Sequence, residues 1–421
     1  MKNALSLAAL AAATVSLGAS LAIAAPAAAK TGDPVKVSDD LTIDPIVEGR
    51  LRYEHVDQDG LKLDADAVTM RLRAGAEFKL HNLSLLVEGE GTLAIDDSYN
   101  AFPFAVPGSG QSHPGVHSVI PDPENIDLNR IQLSYKVKGN GVTIGRQRIN
   151  LDDQRWVGSV AWRQNEQTFD AVRGEAKFGP VALDATYSWS QRTIFGEDAG
   201  PRQAYDGNFY FVGAGTALGP VNLKGFAYYL NYDDPLQIAN SSKTIGLRAT
   251  TTLPLSKALK LDLAGSYAKQ DDWKNPVKNY SADYAAGEAG LSYKALRVAG
   301  GYEVLGSDNG FSLQTPLATL HKFNGWADVF LTTPATGLQD AYGSVAYKFG
   351  DLGAVKGVNA QVIYHQFDSD VGGIEFGTEW DAQIGFKVDQ FSILAKYANY
   401  NAVTPAAGDV EKFWLQLEFA Y

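Results

Sequence analysis

Between Ala67 and Leu80 apolar and polar residues alternate strictly. Val68, Met70, Leu72, Ala74, Ala76, Phe78 and Leu80 fall on one face, and Thr69, Arg71, Arg73, Gly75, Glu77 and Lys79 on the other. A period of two is the signature of a β-strand whose two faces meet different surroundings. The pattern recurs along the chain and predicts about eighteen strands, from 46–56 and 67–80 through 141–150 to 391–400 and 411–421. One such strand would suit a soluble sandwich equally well, so the connections decide. They alternate between short turns, such as His81-Asn82, Gly179-Pro180, Gly219-Pro220 and Asp389-Gln390, and long links, such as 96–125, 194–207 and 306–338. Short turns at one end, long loops at the other and an even strand number predict a transmembrane antiparallel β-barrel with periplasmic turns and extracellular loops.

Composition agrees with this architecture. Beyond the N-terminus no apolar run reaches the roughly 18 residues of a spanning helix, while aromatics make up 11% and glycine contributes 42 residues. Residues 1–29 combine Lys2, an Ala-rich apolar run and Ala-x-Ala endings at Ala24 and Ala29, which reads as a cleaved secretory signal peptide. Residues 30–44 read as a short periplasmic lead-in, and 45–421 as a single outer-membrane barrel domain. There is no cysteine, so neither a disulfide framework nor a thiolate site is available. Phe413, Leu415, Leu417, Phe419 and Tyr421 alternate to the last residue. That ending resembles the C-terminal signal of bacterial outer-membrane proteins, which implies recognition by the barrel assembly machinery through Phe419 and Tyr421.

If the apolar face meets lipid, the charged face lines the lumen. Arg50, Arg52, Arg71, Arg73 and Arg130 are then expected inside, opposed by carboxylates that include Glu48, Glu54, Glu88, Glu90, Glu288, Glu303, Asp381 and Glu418. Most of these charges are expected to form cross-strand ion pairs. Arginines left in excess at a constriction would set ion selectivity. The formal net charge of -12 does not oppose a basic lumen, because acids concentrate in the predicted loops, at Asp96-Asp97, Asp152-Asp153, Asp233-Asp234 and Asp271-Asp272.

One stretch stands out: GRQRINLDDQRWVGSVAWRQNEQTFDAVRG, from Gly145 to Gly174. With WADVFLTTPATGLQDAYGSVAYKF, from Trp326 to Phe349, it resembles the alginate export family of outer-membrane channels. The resemblance implies an eighteen-stranded barrel with an arginine-rich constriction for an anionic uronate polysaccharide. It implies that Arg146, Arg148, Arg155, Arg163 and Arg173, with Gln147, Gln164 and Asn165, belong to or stand near that constriction. Guanidinium groups remain charged and grip carboxylates with paired hydrogen bonds, and amides read sugar hydroxyls. Val142 and Ile144 share parity with Arg146 and Arg148, so a bulge or rim position is expected before those arginines face the lumen. Where the family's dedicated exporter has a long periplasmic loop before its penultimate strand, this chain has Asp389-Gln390, which points to a passive or substrate-selective channel.

The expected partners are therefore outer-membrane lipid and an anionic saccharide or small anionic solute. The alternative is a general or small-carboxylate-selective porin. Two further classes compete. An outer-membrane enzyme would need clustered catalytic groups, but His113 and His117 are separated by Pro114 and Gly115, and Asp152 and Asp153 are adjacent and so point apart. These aspartates are expected to balance Arg148 and Arg155. A structural or adhesive barrel, closed by salt bridges, is the other competitor. No cofactor, metal or nucleic-acid partner is expected.

Overall fold

The alternating segments fold into one antiparallel sheet that closes on itself. The computed structural model describes residues 33–274, 277–403 and 408–420, so the expected signal peptide and Tyr421 lie outside the described residues. Nineteen strands share the sheet, and setting aside the two-residue strand Val35–Lys36 leaves the eighteen of the wall. They are β1 (Leu41–Gln58), β2 (Ala65–Leu80), β3 (Leu83–Ser98), β4 (Asn125–Val137), β5 (Asn140–Gln147) and β6 (Thr168–Phe178). Next come β7 (Val181–Arg192), β8 (Ala204–Leu218), β9 (Val221–Tyr232), β10 (Ser242–Pro254), β11 (Leu259–Asp272) and β12 (Ser281–Tyr293). The last six are β13 (Leu296–Leu305), β14 (Leu338–Leu352), β15 (Val355–Asp368), β16 (Glu375–Val388), β17 (Phe391–Ala402) and β18 (Val410–Ala420). Each strand pairs with its sequence neighbour, and β1 also pairs with β18 from Glu48↔Ala420 to Gln58↔Val410. Closure leaves the wall without a free edge, as a strand structure in lipid requires.

Alternation sorts the side chains as the sequence predicts. Leu72, Ile144, Val212, Leu247, Val298, Val345, Ile384 and Leu415 form part of an exposed apolar belt on the outer surface, where lipid covers them. Thr69, Arg71 and Arg73 of β2 are buried on the opposite, lumenal face. Two predicted boundaries move. The lead-in is shorter than expected, because Leu41–Asp44 already pairs with β2 through Leu41↔Leu80 and Asp44↔Glu77. Strand β5 ends at Gln147 rather than near 150, because the chain leaves the wall there and turns into the lumen.

Nine connections lie at the end with long loops. Two of them, 148–167 and 306–337, run inward and pack against one another, while 99–124 buries Tyr99, Phe102 and Ile120 and joins the first through Asp122, which accepts from the Gln164 N–H at 2.7 Å. These loops carry much of the aromatic core. Trp156 contacts Phe226 and Tyr284, and Phe330 contacts Phe367, Phe376 and Tyr400, so each inward loop is pinned to a different arc of wall.

The register predicts that Leu72→Arg places a charge in lipid and costs about 2–4 kcal/mol if the site lies near the midplane. Urea titration of folding into lipid vesicles measures this, and an unchanged stability would mean that Leu72 does not face lipid.

Candidate functional site

The lumen has two chemically different arcs. One carries Arg50 and Arg52 on β1, Arg71 and Arg73 on β2 and Arg130 on β4, interleaved with Glu48 and Glu54 on β1, Glu88 and Glu90 on β3 and Glu418 on β18. Glu288 on β12, Glu303 on β13, Asp340 on β14 and Glu379 and Asp381 on β16 make the other acidic. Each arc binds the inward loop that offers the matching backbone group. Arg50 Nη1 donates to the carbonyls of Ala161 (3.2 Å), Trp162 (3.0 Å) and Arg163 (2.9 Å), and Arg52 Nη2 also donates to the Trp162 carbonyl. Across the lumen, Glu379 accepts from the Ala327 N–H at 2.7 Å and Asp381 from the Trp326 N–H at 3.3 Å. Gly325, at φ 84°, makes that approach possible, since a Cβ there would overlap the Glu379 carboxylate.

Between the arcs the two loops hold each other. The Gly158 N–H donates to the Leu317 carbonyl at 2.9 Å, and the Thr319 N–H to the Gln154 carbonyl at 3.1 Å. Arg155 donates to Glu303 (2.8 Å), Thr315 (3.2 Å) and Asn324 (3.1 Å), with its guanidinium over Phe323. Arg163 bridges Glu54 of the wall (3.1 Å) and Asp328 of the second loop (2.9 Å). Both arginines are buried parts of the loop scaffold.

A second junction was not legible beforehand. His321 stacks on Trp162 with ring centroids 4.6 Å apart and 6° between planes, and Trp414 meets it edge-on. Lys396 Nζ lies 3.7 Å from the Trp326 ring centroid, 4.3 Å from that of Trp162 and 2.6 Å from His321 Nε2. With Lys396 donating, Nε2 accepts, so Nδ1 carries the proton and donates to Asp328 at 2.8 Å. Burial holds the His321 imidazole well below its ordinary pKa and so keeps it neutral. Burial alone would raise the Asp328 carboxyl, but His321, Lys412 and Arg163 reverse that and hold it well below the usual carboxylate range. The groups come from two loops and the paired strands β17 and β18, where Lys396 lies opposite Trp414, and no single segment carries a spacing that would reveal them.

The residues expected from sequence divide accordingly. Arg50, Arg52, Arg71, Arg73, Arg155 and Arg163 are buried, as are Gln147, Gln164 and Asn165, whose amides bind the Ala171 carbonyl (3.0 Å), Thr69 (2.8 Å) and Thr92 (2.7 Å) respectively. Arg146 remains on the parity of Val142 and Ile144, because β5 and β6 pair without a bulge from Gly141 to Gln147. It binds Asp170 at 2.9 Å instead of facing the lumen. Arg148 lies beyond the end of β5, where alternation no longer applies, and clasps Glu166 with bonds of 2.7 and 2.6 Å. Contrary to the expectation, Asp152 and Asp153 are not the counter-ions of Arg148 and Arg155, which pair with Glu166 and Glu303. Asp152 binds Lys224 (3.0 Å) and Asp153 binds Arg248 (3.2 Å), because the loop carries both to the β9–β10 wall.

Exposure within the ion pairs then singles out a subset. Arg148 is 25% exposed while its partner Glu166 is fully buried, and Arg130 is 15% exposed over a fully buried Glu88. Arg297 (17%) and Arg248 (11%) likewise cover Glu288 and Asp153, each 2% exposed. Arg173, with Glu175 at 2.8 Å, is 21% exposed, but its carboxylate partner is the more open of the two. In four pairs, therefore, the carboxylate lies behind and the guanidinium in front. Arg248 and Arg297, which strand alternation already places on the lumenal face, join Arg130 and Arg148 as functional candidates. Among the described residues no cluster of metal-ligating side chains occurs.

An eighteen-stranded membrane barrel with a charged lumen and inward loops is an outer-membrane channel of the porin type. The model of the alginate export family matches residues 47–299, more than half of the chain, and the chain belongs to that family. No curated protein matches it. Among solved structures it is similar to OccK9 (OpdG) of Pseudomonas aeruginosa, at 13% identity over 90% of this chain and 98% of that one, with a TM-score of 0.70. OccAB3 of Acinetobacter baumannii is similar at 14% identity over 90% and 100%, with a TM-score of 0.65. OpdK of Pseudomonas aeruginosa, solved with vanillate, is similar at 13% identity over 90% and 98%, also with a TM-score of 0.65. At such identities the likeness is one of fold.

The His321 and Asp328 shifts share a sign. Unfolded imidazole takes up a proton near pH 6.5, which the folded site resists, so stability falls as pH drops below about 6.5. The Asp328 contribution is complete above about 3.9 and is lost as pH falls through the lower folded value. Thermal melts of the lipid-embedded barrel should therefore show a lower Tm at pH 5.5 than at pH 7.5, and His321→Gln should remove most of that difference.

Proposed function

We propose that this outer-membrane channel passes anionic solutes, and that carboxylates are the class it favours. The carrying observation is the layering of the ion pairs. Arg130, Arg148, Arg248 and Arg297 present guanidinium groups toward accessible space while their carboxylate partners are buried behind them. A solute meets the cation first, and low-dielectric walls strengthen that field. Guanidinium groups can then bind a carboxylate through two parallel hydrogen bonds.

Family membership supports a uronate-type saccharide as one solute. The similarity to OpdK, solved with vanillate, supports a small carboxylate at least as well. The central lumen favours the smaller solute. Loops 148–167 and 306–337 fill it, and the side chains joining them are buried on every side. A wide polysaccharide conduit would require those loops to part.

Reversal potentials in a KCl gradient across planar bilayers test the reading. The wild-type channel should prefer chloride, and Arg130→Gln with Arg148→Gln should lower the anion-to-cation permeability ratio severalfold. Added vanillate should reduce chloride current less in the double variant than in the wild type. Cation preference in the wild-type channel would sink the proposal.

A further inference from the structure

At the short-turn end of the barrel, lysines occupy one repeated position. Lys136 of β4, Lys177 of β6 and Lys387 of β16 are each the penultimate residue of a strand, and Lys260 is the second residue of β11. Lys348 lies on β14 next to the same rim. Strand alternation turns all five inward. Lys136 shares parity with Ser134, Lys177 with Arg173, Lys260 with Ala264, Lys348 with Ala346 and Lys387 with Asp381, each of which faces the lumen. The neighbouring position on the same strands is apolar and outward, as at Val137, Phe178, Leu259 and Val388.

All five lysines are exposed, and among the described residues none has a carboxylate within ion-pair distance. Three nearby acids are engaged by other cations, Asp262 accepts a hydrogen bond from the Thr252 hydroxyl (2.7 Å), and Asp389 is exposed on the turn that follows Lys387. Glu77 is held by Lys79 (3.1 Å), Glu175 by Arg173 (2.8 Å) and Asp351 by Lys356 (3.3 Å). The opposite end of the barrel has the reverse sign, with Asp57, Asp59, Asp64, Asp233, Glu375 and Glu411 exposed on its loops and strand ends.

We infer that the lysine ring makes the periplasmic mouth a capture site for solutes carrying several carboxylates, such as short oligouronates, while the acidic outer mouth repels them. The inference rests on the anion-channel reading and adds to it the side from which the channel is loaded. Five like charges around one opening sum their fields over the mouth. Spread over separate strands, they match a ligand with repeated carboxylates better than one with a single charge. The attraction acts through water and must therefore weaken with salt, since the screening length falls from about 10 Å at 0.1 M to about 3 Å at 1 M.

The test is fluorescence anisotropy of a labelled short oligogalacturonate with the full barrel in nanodiscs of zwitterionic lipid. Wild-type protein should bind at low salt and lose most binding at about 0.5 M NaCl. The variant K136Q/K177Q/K260Q/K348Q/K387Q should bind roughly tenfold more weakly. A control that removes cations from the outer end, K62Q/K269Q/K274Q, should bind as the wild type does. Absent wild-type binding, unchanged binding in the five-lysine variant, or equal weakening in the control would each overturn the inference. Reversal potentials report separately on the interior, so a cation-preferring channel would sink the channel reading while these binding comparisons still judge the mouth.

Discussion

Everything inside this barrel depends on matching buried charge to buried backbone. Charge removed from water is costly unless it is paired, and an unpaired peptide group carries a similar penalty. At the two inward loops the lumen meets both demands together. Its arginine-bearing arc binds carbonyls of loop 148–167 through Arg50 and Arg52, and its acidic arc binds N–H groups of loop 306–337 through Glu379 and Asp381. Neither arc would be tolerable at this burial without its loop, and neither loop could enter the lumen without an arc to receive its polar backbone. The interior is thus a single interlocked unit, with Arg155 and Arg163 as the ties between its halves.

That arrangement separates two uses of arginine. Fully enclosed guanidinium groups, such as Arg52 and Arg155, position the loops. Those standing in front of a buried carboxylate, at Arg130, Arg148, Arg248 and Arg297, are partly exposed. An ion pair can be neutral in total charge and still present a positive surface, because the order of the two partners along the line of approach sets the sign that a solute meets. Net charge of the chain, at -12, therefore says little about the lumen.

The fold was legible because a barrel in lipid enforces one rule at every strand. A slip of one residue would put charge into hydrocarbon, so alternation is kept along β2 from Val68 to Leu80 and along β18 from Val410 to Ala420. Exceptions arise where the chain leaves the wall. Strand β5 stops at Gln147, short of its predicted end, because the following residues serve the loop rather than the sheet. Of the arginine-rich segment, Arg148 alone combines a place just past a strand end with marked side-chain exposure and a fully buried partner. Its neighbours Arg146, Arg155 and Arg163 look equivalent in sequence, yet bind Asp170, Glu303 and the Glu54–Asp328 pair.

Periodicity determined the strand number and the lipid face, and the alternation of short and long connections determined the end of the barrel that bears the loops. Periodicity did so because the membrane acts locally, residue by residue, on which side chains face outward. Ion-pair partners were decided only by the tertiary structure. Asp152 and Asp153 reach Lys224 and Arg248 instead of the adjacent arginines, and His321, with Asp328 of its own loop, joins Trp162 and Lys396 from two other places in the chain. A charge in an enclosed space takes the partner that the folded path brings to it, and sequence distance carries no information about that path.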